Sequence, residues 1–163
     1  MSYGCSGAGP CARIAAPMTS LTVGVDMVEI DRVRGVLQRH RERFRARVFT
    51  PAELAVCRDR PHQLAVRFAA KEATMKALGT GARGVAWREI EVLPDRRGKP
   101  LLFLYGRAQK RARELGLAAL EVSLTHSREH AIATVVGLRE GTPDDPRAAR
   151  RWLLRRLQEG GLL

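Results

Sequence analysis

The sequence predicts an α+β domain, an antiparallel sheet packed with helices, and three observations carry that prediction. The chain has 163 residues, a length that suits one domain better than two. Two pairs of apolar, β-rich runs are each separated only by turn chemistry, which makes hairpins and therefore antiparallel pairing. Apart from one further strand over Leu21–Val28, the remaining ordered segments read as helices, from apolar residues at helical spacing or from capping signals.

Residues 1–19 are small, Gly/Ala/Pro-rich and aperiodic, so they are expected to form a flexible extension ahead of a domain over 20–138. Leu21–Val28 is expected to be a buried strand, although Asp26 lies inside it and an acid there needs a reason. Ile30, Val33, Val36 and Leu37 repeat at helical spacing, and seven arginines between Arg32 and Arg47 coat the same helix, which is expected to break near its end. Thr50-Pro51-Ala52-Glu53 is a capping box with Pro at the first helical position, starting a short helix toward Asp59. Pro61 separates it from a longer helix, His62 to Leu78, stopped by Gly79. Arg88–Leu93 and Leu101–Tyr105 read as strands joined across 94–100, and a polar helix from Arg107 to Leu115 follows. Glu121–Thr125 and Ala131–Gly137 form a closing hairpin around His126 to Glu129. The stretch 139–163 is basic, with Asp145 capping a helix whose Trp152, Leu153 and Leu157 make an apolar stripe. That stripe can dock on the domain, lie on an anionic surface or stay frayed, and docking on the domain is favoured.

Composition narrows the function classes. The hydrophobic share of 45% fits a globular protein, and the formal charge of +12 attracts polyanions of any kind without choosing among them. Cys5, Cys11 and Cys57 are odd in number and lack metal-ligand spacing, which argues against a disulfide framework or a structural zinc site. Without a membrane-length apolar run or a secretory leader, a cytoplasmic protein is expected.

The chemistry concentrates in the helix carrying Arg67 to Gly81. Ala65, Phe68, Ala69, Glu72, Ala73 and Lys76 share one face, so Glu72 falls on a stripe expected to point inward, where a carboxylate must be paired or bound to a cation. Two readings stand: Glu72 and Lys76 form an ordinary i,i+4 pair, or Glu72 joins Asp26 as oxygen ligands for a hard cation such as magnesium. Lys76 followed by Gly79 and Gly81 is either a lysine with a glycine cap or a phosphate contact. His126, in the turn of the last hairpin, is either structural or a phosphate donor and proton carrier. Cys57 reads as a packed thiol, with no basic partner in register. The arginine helix offers a docking surface for an acidic partner.

Val23-Gly24-Val25-Asp26-Met27-Val28-Glu29-Ile30, Phe49-Thr50-Pro51-Ala52-Glu53, Arg67 through Gly81, Gly98-Lys99-Pro100 and Val122-Ser123-Leu124-Thr125-His126 occur in this order. In that order and over Thr22 to Val136 the chain resembles the holo-acyl-carrier-protein synthase family, the small trimeric phosphopantetheinyl transferases. The resemblance implies the small phosphopantetheinyl transferase fold and transfer of the phosphopantetheine arm of coenzyme A to a serine of an apo acyl carrier protein, releasing adenosine 3',5'-bisphosphate. It implies that Asp26 and Glu72 hold Mg2+, or Mn2+ in its place. Glu72, Lys76 and His126 become the catalytic candidates, with Glu72 or a water held by the metal as base. Arg67, Lys76, Gly79, Gly81, Lys99, Pro100 and His126 become the coenzyme contacts, and Arg32, Arg39, Arg43 and Arg47 the carrier-docking platform. A homotrimer with sites between protomers is implied as well, and Val28 stands where larger monomeric transferases carry another acid. The extensions 1–19 and 139–163 and the Arg96-Arg97 pair depart from the family pattern. Two rivals remain: a basic nucleic-acid-binding module, which leaves Asp26 and Glu72 unexplained, and an inactive carrier-binding scaffold of the same fold.

Overall fold

The first strand, β1 (Thr19–Glu29), turns alternate residues to opposite faces and forms one edge of a three-stranded antiparallel sheet. The computed structural model describes residues 19–141 and 145–161, so the expected extension before Thr19 lies outside the described residues. Two later strands complete the sheet in the order β1-β5-β4, with β4 spanning Leu117–His126 and β5 spanning His130–Glu140. They are the expected closing hairpin, each longer than its apolar run. The pairing runs from Thr19 opposite Glu140 to Glu29 opposite His130, so it reaches one residue before and two beyond the span 20–138.

The strand expected to be buried is covered on one face only. Thr22, Gly24, Asp26 and Val28 point inward, whereas Leu21 and Met27 are 67% and 60% exposed, and Val23 and Val25 lie between them on the same outer face. A sheet one layer thick has two faces, and here the helices cover only one.

Helix α1 (Ile30–Val48) breaks its regular geometry at His40 (φ −135°, ψ 37°), nearer its middle than the end where an interruption was expected. Ile30 and Val33 pack on Ala65, Val66 and Ala131. Helix α2 (Pro51–Cys57) starts with the full capping box: Thr50 Oγ1 accepts from Glu53 N, and the Glu53 carboxylate accepts from Thr50 N. Arg58 and Asp59 then adopt left-handed backbone, φ 48° and 56°, and turn the chain into α3 (Pro61–Ala77).

Helix α3 is the centre of the molecule. Ala69, Ala73 and Ala77 bring it onto the sheet beside Val122, Ala133 and Val135. Gly24 permits the closest approach, since a Cβ there would lie 1.9 Å from the Ala73 carbonyl oxygen. Instead of one inward stripe, α3 is buried nearly all round: Leu64, Val66, Lys71, Met75 and Leu78 on other faces are also enclosed, and beyond the half-buried first turn only the Phe68, Glu72 and Lys76 edge opens outward. Its second side is covered by the hairpin of β2 (Ile90–Pro94) and β3 (Pro100–Leu104), which forms a separate two-stranded sheet. The expected strand from Arg88 starts later, because Trp87–Glu89 form a 3₁₀ turn in which Glu89 accepts from Ala86 N.

A four-residue turn of helix, α4 (Gly81–Gly84), follows α3, and α5 (Gly106–Glu114) lies beyond the hairpin. The last helix, α6 (Pro146–Glu159), forms where Asp145 and Pro146 predicted it, with Asp145 accepting from Arg147 N. It buries none of its residues, and Trp152 remains 59% exposed, so the favoured docking of its stripe on the domain is not found. Trp152 instead makes a contact within the helix, under the Arg156 guanidinium 5.9 Å from the ring centroid. Among the described residues no helix is long and apolar enough to cross a membrane.

Candidate active site

Asp26 and the outer edge of α3 meet because the side chains of β1 alternate and Gly24, two residues earlier on the same face, seats the helix. Lys76 Nζ lies 2.9 Å from Asp26 Oδ1 and donates to the Val25 carbonyl at 2.8 Å. The simple i,i+4 pairing of Lys76 with Glu72 therefore gives way to an ion pair with an acid 50 residues away. Asp26 Oδ2 is buried without a hydrogen-bond partner. Burial, reinforced by the charge of Asp26 and opposed by Lys76, raises the carboxyl pKa of Glu72. Two acids repelling each other beside an unsatisfied carboxylate oxygen fit a hard divalent cation, which takes one or two carboxylates and fills its shell with water and phosphate. Among the described residues no group of three or more His, Cys, Asp or Glu side chains forms a ready-made metal cage.

Next to Lys76 a cleft of about 200 Å³ is lined by Thr22, Gly79, Arg111 and Arg139. Arg111 Nε donates to the Leu78 carbonyl at 3.1 Å and Arg139 Nε to the Leu115 carbonyl at 2.7 Å. These two arginines were absent from the candidates read from sequence, because they come from α5 and β5 and only the fold sets them beside Lys76. Gly79 and Gly81 both have left-handed backbone, φ 66° and 58°, with open space where a Cβ would stand. Gly79 lines the cleft and Gly81 begins the short α4.

The other expected coenzyme contacts gather elsewhere. A cavity of about 350 Å³ is walled by Arg60, Gln63, Arg67, Gly98, Pro100, Thr125 and His126. Arg67 is buried and braces the wall, its Nε donating to the Val92 carbonyl at 3.1 Å and its NH1 to Gln63 at 3.1 Å. His126 Nδ1 lies 3.2 Å from the Ser127 carbonyl, and its ring packs against His62 with centroids 4.9 Å apart. Lys99 does not line the cavity: its ammonium pairs with Glu121 at 2.8 Å, and that partner raises its pKa. Arg67 also faces Cys57, correcting the expectation that this thiol lacks a basic partner. Burial nevertheless dominates and pushes Cys57 up to about 11, so it is a packed thiol.

A second polar residue of α3 went unseen in the sequence. Lys71 is fully buried, 2.7 Å from Glu53 Oε2, and donates to the carbonyls of Trp87 and Ile90. Glu53 Oε1 in turn accepts from Val92 N at 3.0 Å. Burial lowers the Lys71 pKa while Glu53 opposes the shift. The signal was present, since Lys71 falls on the wheel between Leu64, Met75 and Leu78.

Arg32, Arg39, Arg43 and Arg47 are exposed on α1, while Arg45 is tied to Asp59 at 2.7 Å. Val36 and Phe44 line a shallow apolar depression of about 220 Å³ together with Arg43 and Arg47. A further cavity, about 410 Å³ between α1 and the α2–α3 corner, holds none of the expected catalytic residues.

Residues 22–135 match the family described as the 4'-phosphopantetheinyl transferase superfamily. The holo-[acyl-carrier-protein] synthase of Herpetosiphon aurantiacus is 54% identical over 125 residues, covering 72% of this chain and 98% of that protein. That of Moorella thermoacetica is 48% identical, covering 75% and 95%. Among solved structures, the Chronobacterium ammoniagenes ACPS–CoA complex is 34% identical with a TM-score of 0.65, over 76% of this chain and 99% of that one. The Helicobacter pylori holo-[acyl-carrier-protein] synthase in complex with coenzyme A is 29% identical with a TM-score of 0.65, over 71% and 98%.

Proposed function

We propose, from the membership of this chain in the 4'-phosphopantetheinyl transferase superfamily, a mechanism in which its two clusters of site residues act on opposite ends of one coenzyme A. The chain is a transferase that moves the phosphopantetheine arm of coenzyme A onto a serine of an apo acyl carrier protein and releases adenosine 3',5'-bisphosphate. One observation carries the division of labour: Asp26, Glu72 and Lys76 lie together, while the cavity with Arg67, Pro100 and His126 includes none of them.

The first cluster suits the reacting diphosphate. The carrier serine oxygen attacks the phosphorus next to the pantetheine arm, and the bond to the departing bisphosphate breaks. Lys76, with Arg111 and Arg139 lining the adjoining cleft, offsets charge on the diphosphate and the leaving group. Asp26 and Glu72 would hold Mg2+, or Mn2+ in its place, which when bound supplies positive charge against the same oxygens. Glu72, a carboxylate at the outward edge of α3 beside Asp26, suits the uptake of the serine proton. The second cluster suits the nucleotide end, with Arg60, Arg67 and His126 as cationic or donor groups and Gly98 and Pro100 as wall.

A homotrimer brings one protomer's first cluster to a neighbour's second. The outer face of β1, with Leu21, Val23, Val25 and Met27 exposed beside Val136 and Leu138 of β5, supports such an assembly because that much contiguous apolar surface favours a protein partner. Arg32, Arg39, Arg43 and Arg47 present positive charge for an acidic carrier, around the Val36 and Phe44 depression. We place the enzyme in the cytoplasm, serving carriers of fatty-acid, polyketide or peptide synthesis.

Intact mass of an apo carrier protein, after incubation with this protein, coenzyme A and magnesium, tests the reaction directly. A gain of one phosphopantetheine that chelator abolishes is the expected result. No gain across several folded apo carriers would return the chain to the scaffold alternative.

A further inference from the structure

Helix α6 is amphipathic, yet it buries none of its residues. Ala149, Leu153 and Leu157 recur at helical spacing and form one stripe, with Trp152 close beside it. Trp152 and Leu153 are 59% and 49% exposed. Arg147, Arg151 and Arg155 line the opposite face at the same spacing, and Arg150 and Arg156 flank the stripe on either side. Five arginines thus share a helix of 14 residues in which Glu159 is the only acid.

Arg151 reaches the capping Asp145 at 3.4 Å and Arg156 covers the Trp152 ring, whereas Arg147, Arg150 and Arg155 contact no carboxylate among the described residues. A surface that complements α6 must therefore be anionic and must also take in Trp152 and Leu153. Nucleic acid meets the first requirement but leaves the leucine stripe in water. An acidic carrier held on α1 is badly placed for α6. Glu29, which leads into α1, pairs with His130 at one end of β5, while α6 follows Glu140 at the other. The 11 residues of β5 between them span about 35 Å. An anionic bilayer surface meets both requirements, because its phosphate headgroups attract the arginines while Trp and Leu side chains enter the boundary of the acyl chains. Arg150 and Arg156, at the edges of the stripe, reach the headgroups with their stems laid along the apolar face.

We propose that α6 is a peripheral anchor that lies along a bilayer surface containing anionic phospholipid, with Trp152, Leu153 and Leu157 toward the acyl chains and its arginines among the headgroups. The domain over β1 to β5 stays on the aqueous side, since no described helix is long and apolar enough to cross the bilayer. Anchoring is separate from the transfer reaction, because α6 supplies none of the residues around Asp26, Glu72 and Lys76 or around Arg67 and His126.

Sedimentation of the full chain with lipid vesicles tests the anchor. The wild type should sediment with equimolar phosphatidylcholine and phosphatidylglycerol, stay in solution with phosphatidylcholine alone, and be released by added salt. Each arginine beside an anionic leaflet contributes about fivefold in affinity, so Arg150→Gln with Arg155→Gln should weaken binding by about twentyfold. Trp152→Ser with Leu153→Ser, which leaves the charge unchanged, should weaken it by about tenfold or more. Trp152 emission should shift to the blue on binding, and Trp152→Phe should still bind while losing that shift. Trp87, already stacked on Phe68 with centroids 4.8 Å apart, should not contribute to it. Without vesicles, all these variants should transfer phosphopantetheine at the wild-type rate. Undiminished binding of the serine variant, or a wild type that ignores the anionic vesicles, overturns the anchor. A raised KM for carrier protein in the α6 variants, with vesicle binding intact, overturns it as well and assigns the helix to the carrier.

Discussion

Gly24→Ala probes the contact that sets Asp26 beside the edge of α3. An alanine Cβ would stand 1.9 Å from the Ala73 carbonyl oxygen and 2.8 Å from the Ala77 nitrogen. Both are backbone atoms of a helix, so no side-chain rotation relieves the overlap. Restoring ordinary contact at 3.4 Å requires β1 and α3 to part by roughly 1.5 Å. At an unhindered site the same substitution stabilises by about 0.4–1 kcal/mol, because it restricts the unfolded chain. Overpacking costs about 1–3 kcal/mol, so the clash decides the sign, and a net loss of about 1–2 kcal/mol is expected. For a domain of this size that is a fall in Tm of roughly 4–10 °C by thermal melting. Transfer measured by carrier mass should fall further, by about a hundredfold, since a 1 Å misplacement of reacting groups has that effect. An unchanged or higher Tm with normal transfer would show that α3 does not rest on Gly24.

Other substitutions separate the remaining interactions. Lys71→Met leaves the Glu53 carboxylate buried with only the Thr50 and Val92 amides as donors, and should cost about 3–5 kcal/mol in urea unfolding; adding Glu53→Gln should recover part of it, and strictly additive losses would argue against the pair. Glu72→Gln should abolish transfer yet, in melts with chelator present, be no less stable than wild type at neutral pH. The raised pKa of Glu72 penalises its ionised form, so the difference in Tm should be near zero at about pH 4 and widen as pH rises through the folded-state value; a variant that melts lower at pH 7 would refute this. Arg32→Glu with Arg39→Glu should weaken carrier capture by about tenfold and lessen its salt dependence, whereas an equal change in nucleotide binding would remove α1 from the docking role. Deleting the residues after Gly141 should leave Tm within about 2 °C, because α6 buries none of its residues; a larger drop would reveal a packing role for that helix.

Local chemistry was legible without the fold. The Thr50 to Glu53 capping box, Pro61 at the start of α3, Gly79 at its end and the hairpin around Ser127 all depend on residues within a few positions of one another, and each appears where the chain predicts it. So did the site acids in outline, because Asp26 in a β-branched run and Glu72 on an apolar helix face conflict with their own surroundings. The ordered motifs identified the family for the same reason: they are short, local and rich in residues with constrained uses.

Tertiary structure decided what crosses long stretches of chain. Lys76 had a carboxylate one turn away, yet the antiparallel fold offers Asp26 from β1, and geometry selects the distant partner. Lys71 and Glu53 could not be paired by spacing, since their contact exists only where α2, α3 and β2 close on one another. Arg111 and Arg139 became neighbours of Lys76 by the same closure, and His62 a neighbour of His126. By itself, the sequence determined the elements, their ends and the acids that needed a cation, because those follow from periodicity and local hydrogen bonding. Which charges meet and which strand face stays uncovered depended on packing β1 and α3 together through Gly24, an approach that no local pattern encodes.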